Sequence, residues 1–123
     1  MSRLSADVVV IGGGASGMMC SAVAAERGLD VILLEPNKVL GRKLRITGKG
    51  RCNVTNDCTA EEVLQNTPRN GRFLYSAMTA FPPEKTKAFL EQRGCALKTE
   101  RGNRVFPVTD RASSILECLQ SEL

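Results

Sequence analysis

The sequence predicts an α/β fold in which a βαβ unit comes first and further helices and a β-hairpin follow. A strand predicted over residues 7–11 contains an unbroken β-branched run and ends at glycines, and residues 31–34 form a second apolar run. Between them, residues 15–27 have the Ala-, Ser- and Met-rich composition of a helix. Strand, helix and strand within about thirty residues are typical of a parallel βαβ crossover. The chain of 123 residues, 42% hydrophobic and 24% charged, suits one domain with a modest core.

Each element of the first half has a signal at its end. The β-branched run of the first strand is typical of a parallel strand that is covered on both faces. Gly28 is a natural stop for the first helix, and Pro36 ends the second strand just after Glu35. Residues 36–58 show no periodicity and are too many for a plain connector. We therefore expect a functional or partly disordered loop there.

The second half predicts four helices and a hairpin. Thr59-Ala-Glu-Glu62 has the pattern of a capping box, and Gly102-Asn103 is a typical hairpin turn between two strands. Thr109 or Asp110 is expected to cap a last helix that still runs at Leu123. The other predicted elements are helices over 72–80 and 84–93 and strands over 96–100 and 104–108.

The composition excludes several classes of protein. Five irregularly spaced cysteines contain no CxxC pair, and there is no histidine. A zinc site needs recognisable ligand spacing and a disulfide framework favours an even count, so we expect reduced thiols and no metal site. The lack of histidine argues against Ser or Cys hydrolases. Cys20 is expected in the core, on the inner face of the first helix.

No apolar run approaches the ~20 residues that a bilayer span needs. The first residues lack the apolar region and cleavage site of a secretory signal. We therefore expect a cytoplasmic protein without a membrane partner.

Gly12-Gly13-Gly14-Ala15-Ser16-Gly17 matches GxGxxG, the fingerprint of a Rossmann-like dinucleotide site. The pattern follows a predicted strand and opens a predicted helix, and Glu35 closes the next strand where a ribose-binding carboxylate belongs. Gly12 permits the turn, Gly14 leaves room for the pyrophosphate and Gly17 allows close helix packing. The helix N-terminus stabilises phosphate, and the Glu35 charge disfavours a 2′-phosphate, which argues against NADP. The alternative is a glycine-rich turn with Glu35 as a solvated strand end.

A basic glycine-rich segment follows the second strand. Residues 38–51 contain six basic residues and no acidic one. Glycines 41, 48 and 50 would let backbone amides approach an anion, so the segment could wrap a pyrophosphate or border a flavin ring. The alternative is a solvated basic loop.

Here the chain resembles the HI0933-like (BaiN-type) FAD-dependent flavoprotein oxidoreductases. The resemblance rests on residues 8–17, on Gly41-Arg-Lys43 and on the segment Thr47-Gly-Lys-Gly-Arg-Cys-Asn-Val-Thr-Asn56. It extends to Gly102-Asn-Arg-Val-Phe-Pro107, so the motifs span nearly all of the chain. The element at residues 50–56 is far more specific than GxGxxG. The family's loop commonly has Ser and Gly where this chain has Thr47 and Lys49.

The resemblance implies a set of FAD contacts. Those to the ADP part are Gly12, Gly14, Ala15, Ser16, Gly17 and Glu35. Those that line the path toward the flavin are Lys38, Arg42, Lys43, Thr47, Gly48, Gly50, Arg51, Cys52 and Asn53. Thr47 is the candidate hydroxyl near flavin N5. Cys52 also admits a redox interpretation, since Lys49 and Arg51 would lower its pKa, but a packing role is preferred because no second cysteine lies at CxxC spacing.

The resemblance implies a Rossmann-like FAD-binding βαβ unit in an incomplete doubly wound domain. We expect residues 1–123 to be the N-terminal part of an FAD-binding domain, without the rest of that domain or an inserted substrate domain. The intact protein is expected to transfer a hydride or two electrons to or from a small organic substrate, with NAD(P)H as a candidate electron donor. The fragment alone is expected to bind FAD weakly and to be inactive. No catalytic acid or base is identified.

Two other functions are open. An NAD-binding Rossmann dehydrogenase or sensor domain shares the fingerprint but does not explain the basic segment. A nucleic-acid-binding module would use residues 38–51, although we expect no nucleic-acid partner, because only 4% of the residues are aromatic and Trp is absent. The sequence does not determine the oligomeric state.

Overall fold

A computed structural model describes residues 3–123. Five strands form two small sheets, and six α-helices pack around them. The strands are β1 (Val8–Ile11), β2 (Val31–Leu34), β3 (Thr55–Asn56), β4 (Leu97–Glu100) and β5 (Arg104–Pro107). The α-helices are α1 (Ala15–Glu26), α2 (Arg42–Ile46), α3 (Ala60–Gln65), α4 (Tyr75–Ala80), α5 (Pro83–Glu91) and α6 (Ala112–Gln120).

The first sheet is a parallel pair joined by a crossover helix. Val8 pairs with Val31 and Ile11 with Leu34, while α1 connects the two strands. Gly28 has φ +80, the left-handed conformation that commonly follows a helix end. The predicted βαβ unit and the α/β class are therefore confirmed.

The second sheet is antiparallel, in the order β3-β5-β4. Leu97 pairs with Pro107 and Glu100 with Arg104, and a 3₁₀ turn at Arg101–Asn103 joins the strands. Gly102 and Asn103 both have positive φ, as tight hairpin turns require. This confirms the predicted hairpin. The capping box is also confirmed, because the Glu62 amide donates to Thr59 Oγ1 and the Thr59 amide to Glu62 Oε1.

Residues 36–58 are more regular than the expected loop. They contain α2, a 3₁₀ turn at Thr47–Gly50 and strand β3, which pairs with β5. The helical elements are shorter than two turns and the strand is shorter than a typical strand. None is therefore long enough to show a hydrophobic periodicity in the sequence. The expectation of partial disorder is wrong here. The helix predicted from residue 72 also begins later, because Gly71–Leu74 is a 3₁₀ turn and α4 follows it.

The core lies where α1, α5 and α6 meet the second sheet. Phe106 on β5 is completely buried, as are Met18 and Ala22 on α1. The main cluster of buried residues comprises Met18, Ala22, Cys52, Phe89, Leu90, Cys95, Ala112, Ile115, Leu116, Cys118 and Leu119.

One face of the parallel sheet is open, which corrects the expectation of a strand covered on both faces. Val9 is 55% exposed and Ile11 85% exposed, whereas Val8 and Val10 are half-buried. Successive residues of a strand point to opposite faces. Among residues 3–123, helical packing therefore covers one face of this sheet.

Two further predictions are wrong. Cys20 is exposed, because it lies two positions from buried Met18 and therefore about 200° around α1. The last helix has Arg111 at its N-cap, without a side-chain cap, and ends at Gln120. Thr109 Oγ1 instead contacts Ser114 Oγ at 2.6 Å, and the Asp110 carboxylate binds lysine and arginine side chains.

Within the described part of the chain, no helix has the length and apolar character that crossing a membrane would need.

Candidate dinucleotide site

The site begins where β1 turns into α1. Gly12 has φ +103, and its amide donates to the Leu34 carbonyl at 2.8 Å, which extends the pairing of the two strands. A Cβ atom on Gly17 would overlap the Gly12 carbonyl oxygen. These two glycines therefore have the roles that the fingerprint predicts, the tight turn and the close approach of helix to strand.

Gly14 and the first turn of α1 present open backbone to a cavity. Gly14 is the N-cap of α1, no side chain caps it, and the first turn contains no acidic residue. A Cβ atom on Gly14 would meet nothing within 4 Å, so the space in front of this backbone is open. The amides of Ala15, Ser16 and Gly17 have no acceptor within the helix, and the positive end of the helix dipole lies behind them. This end of α1 is suited to a diphosphate.

Glu35 lies across from this turn and is held in place by two amides. The Gly13 amide donates to its Oε1 at 2.9 Å and the Asn37 amide to its Oε2 at 2.8 Å. The Asn37 amide, and next the Gly13 amide, hold the pKa of Glu35 below its usual value. Each carboxylate oxygen keeps further lone pairs, so the ionised group can accept hydrogen bonds from sugar hydroxyls.

One cavity of about 880 Å³ joins these groups. Its volume is within the range of small-molecule and cofactor sites. It is lined by Gly13, Gly14, Ala15, Ser16, Glu35, Asn37, Arg42, Lys43, Leu44, Ile46 and Thr47.

The cavity brings together seven of the predicted site residues. Gly14, Ala15, Ser16 and Glu35 from the βαβ unit line it, and so do Arg42, Lys43 and Thr47 from the basic segment. Thr47 Oγ1 donates to the Leu44 carbonyl at 2.9 Å. The two cations and the N-terminus of α1 make the cavity electropositive next to one fixed carboxylate.

The remaining predicted residues lie outside the lining. Gly12 lies in the turn after β1, Gly17 lies in the first turn of α1 and packs against Gly12, and Lys38 is exposed. Gly48, Gly50, Arg51, Cys52 and Asn53 belong to the turn behind α2. Gly48 packs tightly, since a Cβ there would lie 2.9 Å from Phe106 Cε1, and the Asn53 side-chain amide donates to the Thr55 and Val105 carbonyls. Gly41, expected to offer its amide to an anion, is buried, and this amide donates to the Gly13 carbonyl at 2.7 Å.

Cys52 is completely buried and has φ +62. Burial raises the pKa of its thiol, against the smaller opposite effect of a hydrogen bond with Thr47. A redox thiol needs a lowered pKa and access to solvent. The structure therefore supports the packing role. Within residues 3–123, no three His, Cys, Asp or Glu side chains are placed to hold a metal ion.

Four lining residues were not predicted. Gly13 lies inside the fingerprint as a variable position, and a Cβ there would meet the Leu40 side chain and Glu35. Asn37 follows the acidic residue by two positions and holds its carboxylate. Leu44 and Ile46 are apolar positions of α2, which is too short to be recognised from periodicity.

Comparison with known proteins gives a consistent result. The protein family described as "HI0933-like protein Rossmann domain" matches residues 6–123. A 3-dehydro-bile acid delta(4,6)-reductase of Clostridium scindens is 34% identical over 93% of this chain and 28% of its own length. A ribosomal RNA dihydrouridine synthase of Escherichia coli is 34% identical over 94% of this chain and 28% of its own length. A 3-oxosteroid 1-dehydrogenase of Mycobacterium tuberculosis is 32% identical over 70% of this chain and 16% of its own length. The chain thus spans less than a third of the length of these relatives.

Proposed function

The chain belongs to the HI0933-like protein Rossmann-domain family, and we propose that it binds the ADP part of FAD for a flavin-dependent oxidoreductase. The observation that supports this most directly is the arrangement across one cavity. The open backbone of Gly14 and the N-terminus of α1 face the same space as the fixed carboxylate of Glu35. A diphosphate fits the first group and a ribose the second.

Each residue has a specific role in this proposal. The amides of Ala15 and Ser16 would bind the diphosphate, with Arg42 and Lys43 neutralising its charge from the opposite wall. Glu35 would accept hydrogen bonds from the adenosine ribose and repel a 2′-phosphate. Thr47, the last lining residue along the basic segment, is the candidate for a contact toward the flavin. FAD, when bound, supplies the two-electron redox chemistry, and the protein supplies position and electrostatics.

One structural observation supports FAD over NAD. The basic segment supplies part of the cavity wall through Arg42, Lys43 and Thr47, which a Rossmann unit for NAD does not require. The relatives named above are a bile-acid reductase, a ribosomal RNA dihydrouridine synthase and an oxosteroid dehydrogenase, and these names fit redox chemistry with either cofactor. A small organic substrate, NAD(P)H as electron donor and a cytoplasmic location stay predictions.

An NMR titration of the ¹⁵N-labelled chain with FAD, ADP and FMN tests the proposal. We expect FAD and ADP to shift the amide signals of Gly13 to Gly17 and of Asn37, even if binding is weak, and FMN to leave them unchanged. Only FAD should also shift Thr47. Unchanged signals with FAD, or equal shifts with FMN, would contradict an ADP site.

A charge-matched pair of variants sharpens the test. Glu35→Gln removes the ribose carboxylate and should weaken FAD and ADP binding while reducing the discrimination against NADP. Glu61→Gln removes one negative charge from an exposed position on α3 and should leave binding unchanged. Equal effects of both substitutions would show that net charge alone matters.

A second candidate function is an RNA substrate for the same flavin site. Lys38, Arg42, Lys43 and Lys49 are exposed, and none of them forms an ion pair among residues 3–123. A dinucleotide offers two phosphates, which is fewer than these cations could neutralise. A polyanion would use them all, and the Escherichia coli relative is named for a ribosomal RNA substrate.

Binding of a short RNA at several salt concentrations separates the two substrate classes. An RNA site predicts an affinity that falls steeply with salt, with a smaller slope in a Lys38→Gln/Lys49→Gln double variant. A small-molecule site predicts no measurable RNA binding.

A further inference from the structure

The Arg51 side chain, 31% exposed, is bound by protein carboxylates through its Nη1 atom. Its Nη1 donates to Glu100 at 2.9 Å (Oε2) and 3.1 Å (Oε1), and to Asp110 Oδ1 at 3.1 Å. Glu100 ends strand β4, and Asp110 follows β5 in a left-handed conformation with φ +59. The arginine thus joins the turn behind α2 to both ends of the β4–β5 hairpin.

A second cation completes this ion cluster. Lys98 Nζ lies 2.8 Å from Asp110 Oδ1 and 3.2 Å from Glu100 Oε2. The pKa of Glu100 is lowered by hydrogen bonds from Arg51 and then Lys98, and the pKa of Asp110 by Lys98 and then Arg51. Both carboxylates are therefore ionised at neutral pH, and the two positive and two negative groups are balanced. Because these carboxylates neutralise its positive charge, Arg51 would attract an additional phosphate only weakly.

The guanidinium also stacks on the aromatic core of the hairpin. It lies 3.9 Å from the centroid of the completely buried Phe106 ring. Gly48 packs against the same ring, with no room for a Cβ. The turn closes on itself through hydrogen bonds from the Arg51 amide to the Gly48 carbonyl and from the Cys52 amide to the Thr47 carbonyl. Phe106 therefore contacts both the glycine and the arginine of one turn.

We propose that Arg51 is a positioning residue that clamps residues 47–52 onto the β4–β5 hairpin and thereby fixes Thr47 at the cavity wall. The clamp does not contact the ligand. For the identity of the ligand this inference rests on the proposed function, but the clamp itself is independent of it.

Glu100→Gln distinguishes a clamp from a phosphate contact, because the two predict opposite signs. If Arg51 is a clamp, Glu100→Gln loosens the turn and weakens FAD binding. If Arg51 reaches a ligand phosphate, the same substitution releases the guanidinium and strengthens FAD binding. Arg51→Met weakens binding in both cases, so the informative measurement is the sign of the change in Glu100→Gln alone. In the double variant Glu100→Gln should add no further loss beyond Arg51→Met, which checks that Glu100 acts through Arg51.

Amide hydrogen exchange tests the clamp without any ligand. We expect Arg51→Met and Glu100→Gln to speed exchange of the Arg51 and Cys52 amides by at least about fivefold, within the range of coupled pairs. Exchange in β1 and β2 should not change. Arg51→Lys keeps the charge but loses the planar stacking, so it should give an intermediate rate.

An exposed arginine is the matched control. Arg72→Met, in the 3₁₀ turn before α4, should alter neither exchange nor binding. Unchanged exchange at residues 51 and 52 in Glu100→Gln, or tighter FAD binding in that variant, would overturn the inference. If the wild-type chain does not bind FAD but the exchange rates change as expected, the proposed function fails and the clamp stands.

Discussion

Replacing Gly17 with alanine is the most direct test of the glycine geometry. The new Cβ would overlap the carbonyl oxygen of Gly12, lie 3.0 Å from its carbonyl carbon and touch Val10 Cγ1 at 3.4 Å. The first two atoms are backbone, in the turn that links β1 to α1. They cannot rotate away as a side chain would, so helix and strand must separate.

The magnitude follows from two opposing effects. Alanine favours a helix over glycine by at most about 1 kcal/mol. Overpacking a closely packed contact costs about 1–3 kcal/mol, and a clash with backbone belongs at the upper end. The net loss in the free energy of unfolding is therefore about 2 kcal/mol, which for a chain of this size lowers Tm by about 8 °C.

Thermal unfolding followed by circular dichroism measures this change, with Gly14→Ala as the matched control. Gly14 has φ −84 and open space around its Cβ position, so alanine there should change stability by less than about 0.5 kcal/mol. The same methyl would intrude where the diphosphate is proposed to bind, so ADP binding should be lost. A Tm of Gly17→Ala equal to that of the wild type would refute the packing argument.

Three further predictions concern caps, thiols and pH. Thr59→Ala should lower the free energy of unfolding by about 1 kcal/mol, because it removes the capping box of α3, whereas Thr59→Ser keeps the hydroxyl and should retain that stability. Equal chemical denaturation midpoints for the alanine and serine variants would contradict this. Exposed Cys20 should react with a thiol reagent far faster than Cys118, because Cys118 is buried and burial raises the pKa of its thiol. Equal rates in the folded state would show that the packing of α6 does not shield Cys118 from the reagent. Since its amide partners lower the pKa of Glu35, the stability that it contributes is complete above about pH 4.5 and is lost as pH falls through the lowered value. The acid loss of stability should therefore be smaller in Glu35→Gln, as measured by urea unfolding between about pH 6 and pH 3, and an identical loss would contradict the role of these amides.

The sequence predicts best where local signals agree. The β-branched runs, GxGxxG and Gly28 agree on where the elements of the βαβ unit begin and end. The capping box and Gly102 likewise locate α3 and the hairpin. The short elements α2 and β3 escaped prediction because their stability comes from tertiary contacts. The wrong cap has the same origin at Asp110, whose carboxylate binds the distant Arg51 and Lys98, whereas Thr109 Oγ1 contacts the nearby Ser114.

Prediction of the site follows the same rule. The lining by Gly14, Ala15, Ser16 and Glu35 could be expected, because strand and helix directions alone place them together. The basic segment could not be resolved into lining and supporting residues. That division depends on which side chains find partners at a distance, and Glu100 lies 49 positions from Arg51 in the sequence.

The hydrogen bond between the Gly41 amide and the Gly13 carbonyl has a consequence for binding. It fastens the start of α2 to the glycine turn, so the two walls of the cavity are already joined when the chain is folded. The residues that form these walls therefore lose their conformational entropy during folding and not on ligand binding. The nucleotide that we propose for this cavity would therefore meet a preorganised surface, and little of its interaction energy would be consumed in ordering the chain around it.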